Sequence, residues 1–244
     1  MAMCTVPRSS PAAAARGNTM QLLQQLALLV CCLRFDVTAA SSSLLMGGNV
    51  EFVGRVQRAA DGSAVSFDMN GVQVKATVTG TTGLYASMSQ VSSKAQGNAF
   101  QVFLDGVLQP NSMFNTSAWA AGEVVKVPLF PSGSLAAASS HAVSIFKDTE
   151  PNFAAKPGPG AMPNYVTFHG FSGDSSARLL APVKPQSPPQ HKLEFLGDSI
   201  TAGFDNTCDI PGSPKGFPWS ESFLKSWATL MCDTLGAECH YNAW

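Results

Sequence analysis

The sequence predicts a β-sandwich, jelly-roll-like, followed by the start of an α/β parallel sheet. Three observations carry this. From Val50 to about Phe171, short runs alternate apolar with polar residues and are separated by Gly, Pro, Asn and Asp turns, the pattern of half-buried strands. A proline-dense stretch at 181–190 then interrupts the pattern. Beyond it a short apolar strand, a helical periodicity and a second strand follow one another, which is the opening unit of a parallel sheet.

Residues 1–40 come first and are read as a signal peptide. Arg8 and Arg16 supply positive charge, the run from Leu22 to Leu33 is apolar except for Gln24 and Gln25, and Val37-Thr38-Ala39-Ala40 supplies small residues. The run falls short of the ~20 residues that span a bilayer, so the expectation is secretion, with no membrane association after removal. Composition agrees with an extracellular protein. Of 244 residues 45% are apolar, enough for a sizeable core, but only 13% are charged, about half the usual ~25%. A net charge of -1 gives no electrostatic reason for a nucleic-acid or anionic-membrane partner.

Once the leader is removed, Cys208, Cys232 and Cys239 remain, an odd number that leaves at least one thiol without an internal partner. One disulfide within 208–239 is expected, with the pairing left open. No Cys-x-x-Cys or nearby His pair stands in the sequence, so no metal and no cofactor are expected. Asn115-Thr116-Ser117 is a glycosylation sequon.

Residues 47–181 form the expected sandwich domain. Val72, Val74, Ala76 and Val78 alternate with Gln73, Lys75, Thr77 and Thr79, giving one face to the core. Asn70-Gly71 predicts a hairpin turn that pairs this strand with residues 64–69. Further strands are expected at 50–57, 99–104, 124–127, 141–147 and 165–171. Residues 182–191 form a Pro-rich linker, since Pro182, Pro185, Pro188 and Pro189 exclude helix and central strand. Residues 192–244 then begin the second domain. Leu193 to Leu196 reads as a strand. Phe223, Trp227, Leu230, Met231 and Leu235 share one helical face, and Gly236 is its C-terminal stop.

The chemistry is expected where that strand ends, at Gly197-Asp198-Ser199. A tight turn after a strand lifts a serine hydroxyl clear of the sheet, where an ester carbonyl can reach it, and the Ser199 N–H can hold the resulting oxyanion. The Gly-x-Ser-x-Gly elbow of the α/β-hydrolases is absent. Asp198 is expected to hold the turn through bonds to backbone N–H groups. Of the histidines, His141 and His169 fall in sandwich strands, His191 in the linker and His240 at the second core strand. None is assigned as base. Lys147 and Glu150 are read as solvated charges at a strand end. Trp119 and Trp219 are candidates to stack on sugars, while Trp227, on the apolar helix face, is read as core.

The run from Leu193 to Gly203 resembles the first block of the SGNH (GDSL-type) hydrolases, whose parallel sheet is flavodoxin-like. The order of features across the chain resembles carbohydrate esterase family 2, which joins an N-terminal β-sandwich to an SGNH esterase domain. The matching pieces are Phe52-Val53-Gly54-Arg55, Val102-Phe103-Leu104-Asp105-Gly106, the run from His141 to Glu150, Phe168-His169-Gly170-Phe171, Gly197-Asp198-Ser199, and the run from Leu235 to Trp244. The resemblance implies removal of acetyl groups from sugar hydroxyls of xylan- or mannan-type polysaccharides, with Ser199 as nucleophile and Gly197 and Asp198 as motif support. The expected partner is an acetylated polysaccharide or oligosaccharide. In the family the catalytic histidine and two further oxyanion donors lie in later blocks, so the expectation is an incomplete hydrolase domain, inactive as written. The alternative is a non-catalytic sugar-binding or interaction protein on the same sandwich, with a vestigial hydrolase segment. Reading the gene past Trp244 separates the two.

Overall fold

The computed structural model describes residues 48–91, 97–151, 165–182, 191–207 and 220–243. The expected leader, the linker's residues 183–190, Cys208 and Trp219 lie outside them. The described chain is mostly β, with two large antiparallel sheets and few helices. All of it belongs to one compact unit.

The larger sheet runs β1 (Glu51–Val53), β4 (Gln73–Thr79), β10 (Ser140–Lys147), β6 (Ala99–Leu104), β7 (Val107–Leu108). Two more strands join it, β12 (Arg178–Leu180) on β4 and β8 (Phe114–Asn115) on β6. The smaller sheet runs β2 (Gln57–Arg58), β3 (Val65–Phe67), β11 (Val166–Gly173), β5 (Leu84–Gln90), β9 (Val125–Phe130). Alternation decides which side chains meet between them. Val74, Ala76 and Val78 from β4, Val143 and Ile145 from β10, and Leu84, Ala86 and Met88 from β5 share one interior with Phe67, Phe168 and Phe171. Strand β5 shows the same period-two pattern, yet the sequence reading did not single it out.

Two sequence expectations fail in one way. Asn70-Gly71 is not a hairpin turn: β3 pairs with β2 and β11, whereas β4 pairs with β1, β10 and β12. The positive φ of Gly71 (69°) serves a crossing between sheets, where its N–H donates to the Lys147 carbonyl at 2.9 Å. Residues 50–57 likewise are not one strand. Gly54, at φ 98°, sends β1 and β2 to opposite sheets.

A smaller layer follows. Strand β13 (Lys192–Gly197) pairs in parallel with β14 (Glu238–Ala243), register Phe195↔Tyr241. Between them lie α1 (Ser199–Ala202), a 3₁₀ turn at Phe223–Lys225, and α2 (Trp227–Leu235). Helix α2 starts on Ser226, whose hydroxyl accepts the Thr229 N–H, and stops at Gly236 in the left-handed conformation. Its buried face is Ala228, Thr229 and Cys232, not the larger residues expected. Trp227, Leu230, Met231 and Leu235 lie 45–56% exposed, and Phe223 belongs to the 3₁₀ turn. The small residues Ala228 and Cys232 face inward onto Phe195 and Cys239, and the Cys232–Cys239 disulfide ties the helix's last turn to β14.

Candidate active site

The turn after β13 is built as its residue types require. Gly197 has no alternative, since a Cβ there would meet the Thr201 hydroxyl at 2.2 Å. Asp198 is the N-cap of α1, and its carboxylate accepts the Ile200 N–H at 3.0 Å. Ser199 is the first helical residue, half-buried. Its carbonyl accepts the Phe204 N–H at 2.8 Å, and Gly203 (φ 90°) closes the helix on the Ile200 carbonyl. The backbone thus loops back on itself within one turn, and the serine stands where the strand ends.

The histidines are elsewhere. His141 Nδ1 sits 3.0 Å from Asp105, His169 Nε2 bonds the Ser89 hydroxyl at 2.8 Å, and His240 faces Glu238 at 3.6 Å. Burial pushes His169 below the ordinary histidine range. Among the described residues none of the four bonds Ser199. A groove of about 1340 Å³ lies between the outer face of the larger sheet and the α2–β14 layer, with Lys75, Phe103, Ser144, Leu224 and Tyr241 in its walls. Ser199 does not line it, so groove and turn are separate features.

What joins the small layer to the sandwich is the end of β10. Phe146 stacks on Phe223 (6.0 Å, 13°), which meets the Tyr241 ring edge-on at 4.6 Å. Tyr241 stacks on Phe195 of β13 at 5.5 Å. Burial pushes the Tyr241 phenol up to about 12. Beside this aromatic file lies a buried charge cluster, where the sequence predicts Lys147 and Glu150 as solvated charges at a strand end. Lys147 is 0% exposed, its ammonium donating to the carbonyls of Thr149 (2.6 Å) and Glu150 (3.0 Å). Burial pulls it down to about 8 against the opposing field of Glu221, Asp68, Glu150 and Asp148. Glu221, also buried, accepts the Glu150 N–H and is pushed up to about 8 by burial and by the Glu150 carboxylate. Asp148 accepts from Leu224 N–H (2.7 Å), the Ser222 hydroxyl (3.0 Å) and Gln101 Nε2 (3.0 Å). A lysine near a strand end gives no local sign of burial; Asp148 and Glu150 are its neighbours in sequence, but Asp68 and Glu221 come from distant parts of the chain.

No protein-family model matches the chain. Its structural neighbours are family 2 carbohydrate esterases, in agreement with the resemblance read from the sequence. An active-site mutant of such an esterase from Clostridium thermocellum, in complex with a cello-oligosaccharide, is 27% identical with TM-score 0.60, matched over 82% of this chain and 51% of its own. The family 2 esterase of Cellvibrio japonicus has TM-score 0.59 at 22% identity (83% and 51%), and shares the fold. So does the acetyl xylan esterase Est2A of Butyrivibrio proteoclasticus, TM-score 0.57 at 20% identity (84% and 48%). Among curated proteins, the cellulase/esterase CelE of Acetivibrio thermocellus is 29% identical over 162 residues, 66% of this chain and 17% of that protein. The chain thus spans about half the length of its solved neighbours and a smaller share of the curated one.

Proposed function

We propose that this chain carries the sandwich and the nucleophile segment of a secreted SGNH-type carbohydrate esterase that removes acetyl groups from polysaccharide hydroxyls. The observation that carries the reading is the Ser199 turn, seated at the end of a strand that pairs in parallel with β14 beside an esterase-like sandwich. Ser199 is the nucleophile: its hydroxyl attacks the acetyl carbonyl, and its own N–H is one donor to the tetrahedral oxyanion. Asp198 holds the turn, its carboxylate accepting the Ile200 N–H. The neighbours' names, carbohydrate esterase and acetyl xylan esterase, support an acetylated polysaccharide as substrate and partner.

The test is hydrolysis of acetylated xylan, acetylated mannan and an activated acetate ester by the protein made from its complete reading frame. Ser199→Ala is expected to lower the rate by about 10⁴-fold or more, with an unchanged melting temperature. Undiminished turnover in the variant means that the turn is structural. Binding of xylan without turnover by the unaltered protein favours the non-catalytic alternative.

A further inference from the structure

We propose that the end of β10 is the mounting of the Ser199 turn, with Asp148 as a positioning residue that acts through Ser222 and Asn206; this rests on the reading of Ser199 as nucleophile. Helix α1 has four residues, too few to hold itself. The Asp198–Ile200 bond closes the turn locally and does nothing to fix it relative to the sandwich. A continuous set of bonds does. The Ser199 carbonyl accepts the Phe204 N–H, and the Gly203 carbonyl accepts the Asn206 N–H at 3.2 Å. The Asn206 amide then grips the backbone of Ser222 at both ends, Nδ2 to the carbonyl at 2.8 Å and Oδ1 from the N–H at 3.0 Å. The backbones are in contact here: a Cβ on Gly203 would meet the Ser222 carbonyl oxygen at 2.5 Å. Thr207 N–H adds a bond to the Ser220 carbonyl at 3.1 Å.

The segment so gripped is itself fixed to the sandwich. Asp148 takes the Ser222 hydroxyl and Leu224 N–H on its carboxylate and the Phe223 N–H on its carbonyl at 2.8 Å, while Gln101 of β6 holds the carboxylate from the other side. The neighbouring Glu150 N–H binds Glu221. Asp148 is buried, and so is the Ser222 hydroxyl, which would be left without its partner if the carboxylate were removed. The carboxylate therefore sets where residues 222–224 lie, and these set where the strand-end serine lies. The sandwich thus positions the nucleophile.

Amide hydrogen exchange on the intact protein tests this with Asn206→Ala, Asp148→Ala and Asp148→Asn. Asn206→Ala is expected to speed exchange at Ile200, Gly203 and Phe204 by about tenfold, the loss of two such bonds, and to expose the Ser222 N–H that loses its acceptor, with 223–224 and β5 unchanged. Asp148→Ala opens both 222–224 and 200–204. Asp148→Asn, which keeps an oxygen for Leu224 N–H, gives intermediate rates. In the esterase assay the same variants lower kcat with KM retained. Opening of 222–224 without any change at 200–204 overturns the proposal. If Asp148→Ala loosens β5 as well, the fold as a whole has yielded and Asn206→Ala alone decides: unchanged rates at 200–204 then sink it. The exchange result does not depend on turnover, so a Ser199 that proves non-catalytic is told apart from a turn that is not braced.

Discussion

The sandwich and the small layer after it are stabilised in different ways. In the sandwich, side chains from both sheets fill a common interior: Phe67, Phe168, Phe171, Leu84, Met88 and Ile145 are all fully enclosed. Among the described residues, the apolar cluster of the parallel pair and its helix is small, Phe195, Ala228, Cys232 and Cys239, and Trp227, Leu230 and Met231 stand half in water. A parallel sheet is normally covered on both faces, so a two-stranded one has little stability of its own. What it lacks in core it draws from the sandwich, through Phe146, Gly71 and the bonds of Asp148. The lesson is that the region bearing the proposed nucleophile is the region that depends on its neighbour.

The sharpest break of this contrast is a cavity in the sandwich. Phe168 is fully buried with Phe52 and Phe171 edge-on at 5.9 and 4.9 Å, so Phe168→Ala should cost about 3–5 kcal/mol and unfold both regions together in urea. An effect confined to one region would mean that the small layer stands alone. Next in size is the Cys232–Cys239 link, which closes a loop with a sequence separation of 7. Replacing both cysteines by serine should cost about 2.5 kcal/mol, read as faster exchange in α2 and β14 with β5 unaltered.

Gly71→Ala probes the seam itself. The added Cβ would meet the rings of Phe223 and Tyr241 at 2.7 Å, in a backbone conformation of φ 69° that disfavours it. A loss of about 1–2 kcal/mol is expected, read as faster exchange in 223–241 while β5 keeps its rate. Equal loosening of β5 would contradict a seam separable from the core.

The seam also responds to pH. Glu221 has its folded pKa raised from 4.5 to about 8, so its contribution is fully present below 4.5 and is lost as pH rises to about 8. Asp68, Asp148 and Glu150 are raised by burial and act in the same direction. Lys147 is lowered from 10.5 to about 8, so its contribution is present above 10.5 and lost as pH falls to about 8. Asp61, Asp105, Asp174 and Glu238 are lowered by their hydrogen bonds and titrate below this window. Stability of the seam should therefore fall from pH 5 to 8 and recover above, and Glu221→Gln should flatten the acid limb in urea titrations. A limb that keeps its slope in the variant assigns the effect to other groups.

Much of this was legible in the sequence, because much of it is local. The period-two pattern of β4 and the Gly236 stop are properties of a few adjacent residues. So is the Gly197-Asp198-Ser199 turn, although its chemical role is a proposal. What was missed depends on partners far along the chain. Gly71 has hairpin chemistry, yet its positive φ serves an approach to Phe223 and Tyr241. Lys147 looks solvated until Glu221 and Asp68 are seen around it. The apolar stripe of α2 points inward by hydrophobicity, but the face that packs with Phe195 and Cys239 is the small one, Ala228 and Cys232. The brace of Asn206, Ser222 and Asp148 consists of ordinary polar residues from three segments, and no spacing announces it.

On the proposed mechanism, Ser199 is the residue that takes the acyl group. Treating the protein made from its complete reading frame with a fluorophosphonate probe, then mapping the adduct by peptide mass spectrometry, tests it most directly. The expected result is a single adduct on Ser199, absent in Ser199→Ala and slowed in Asn206→Ala. An adduct on another serine, or none on a preparation that hydrolyses acetate esters, would contradict it.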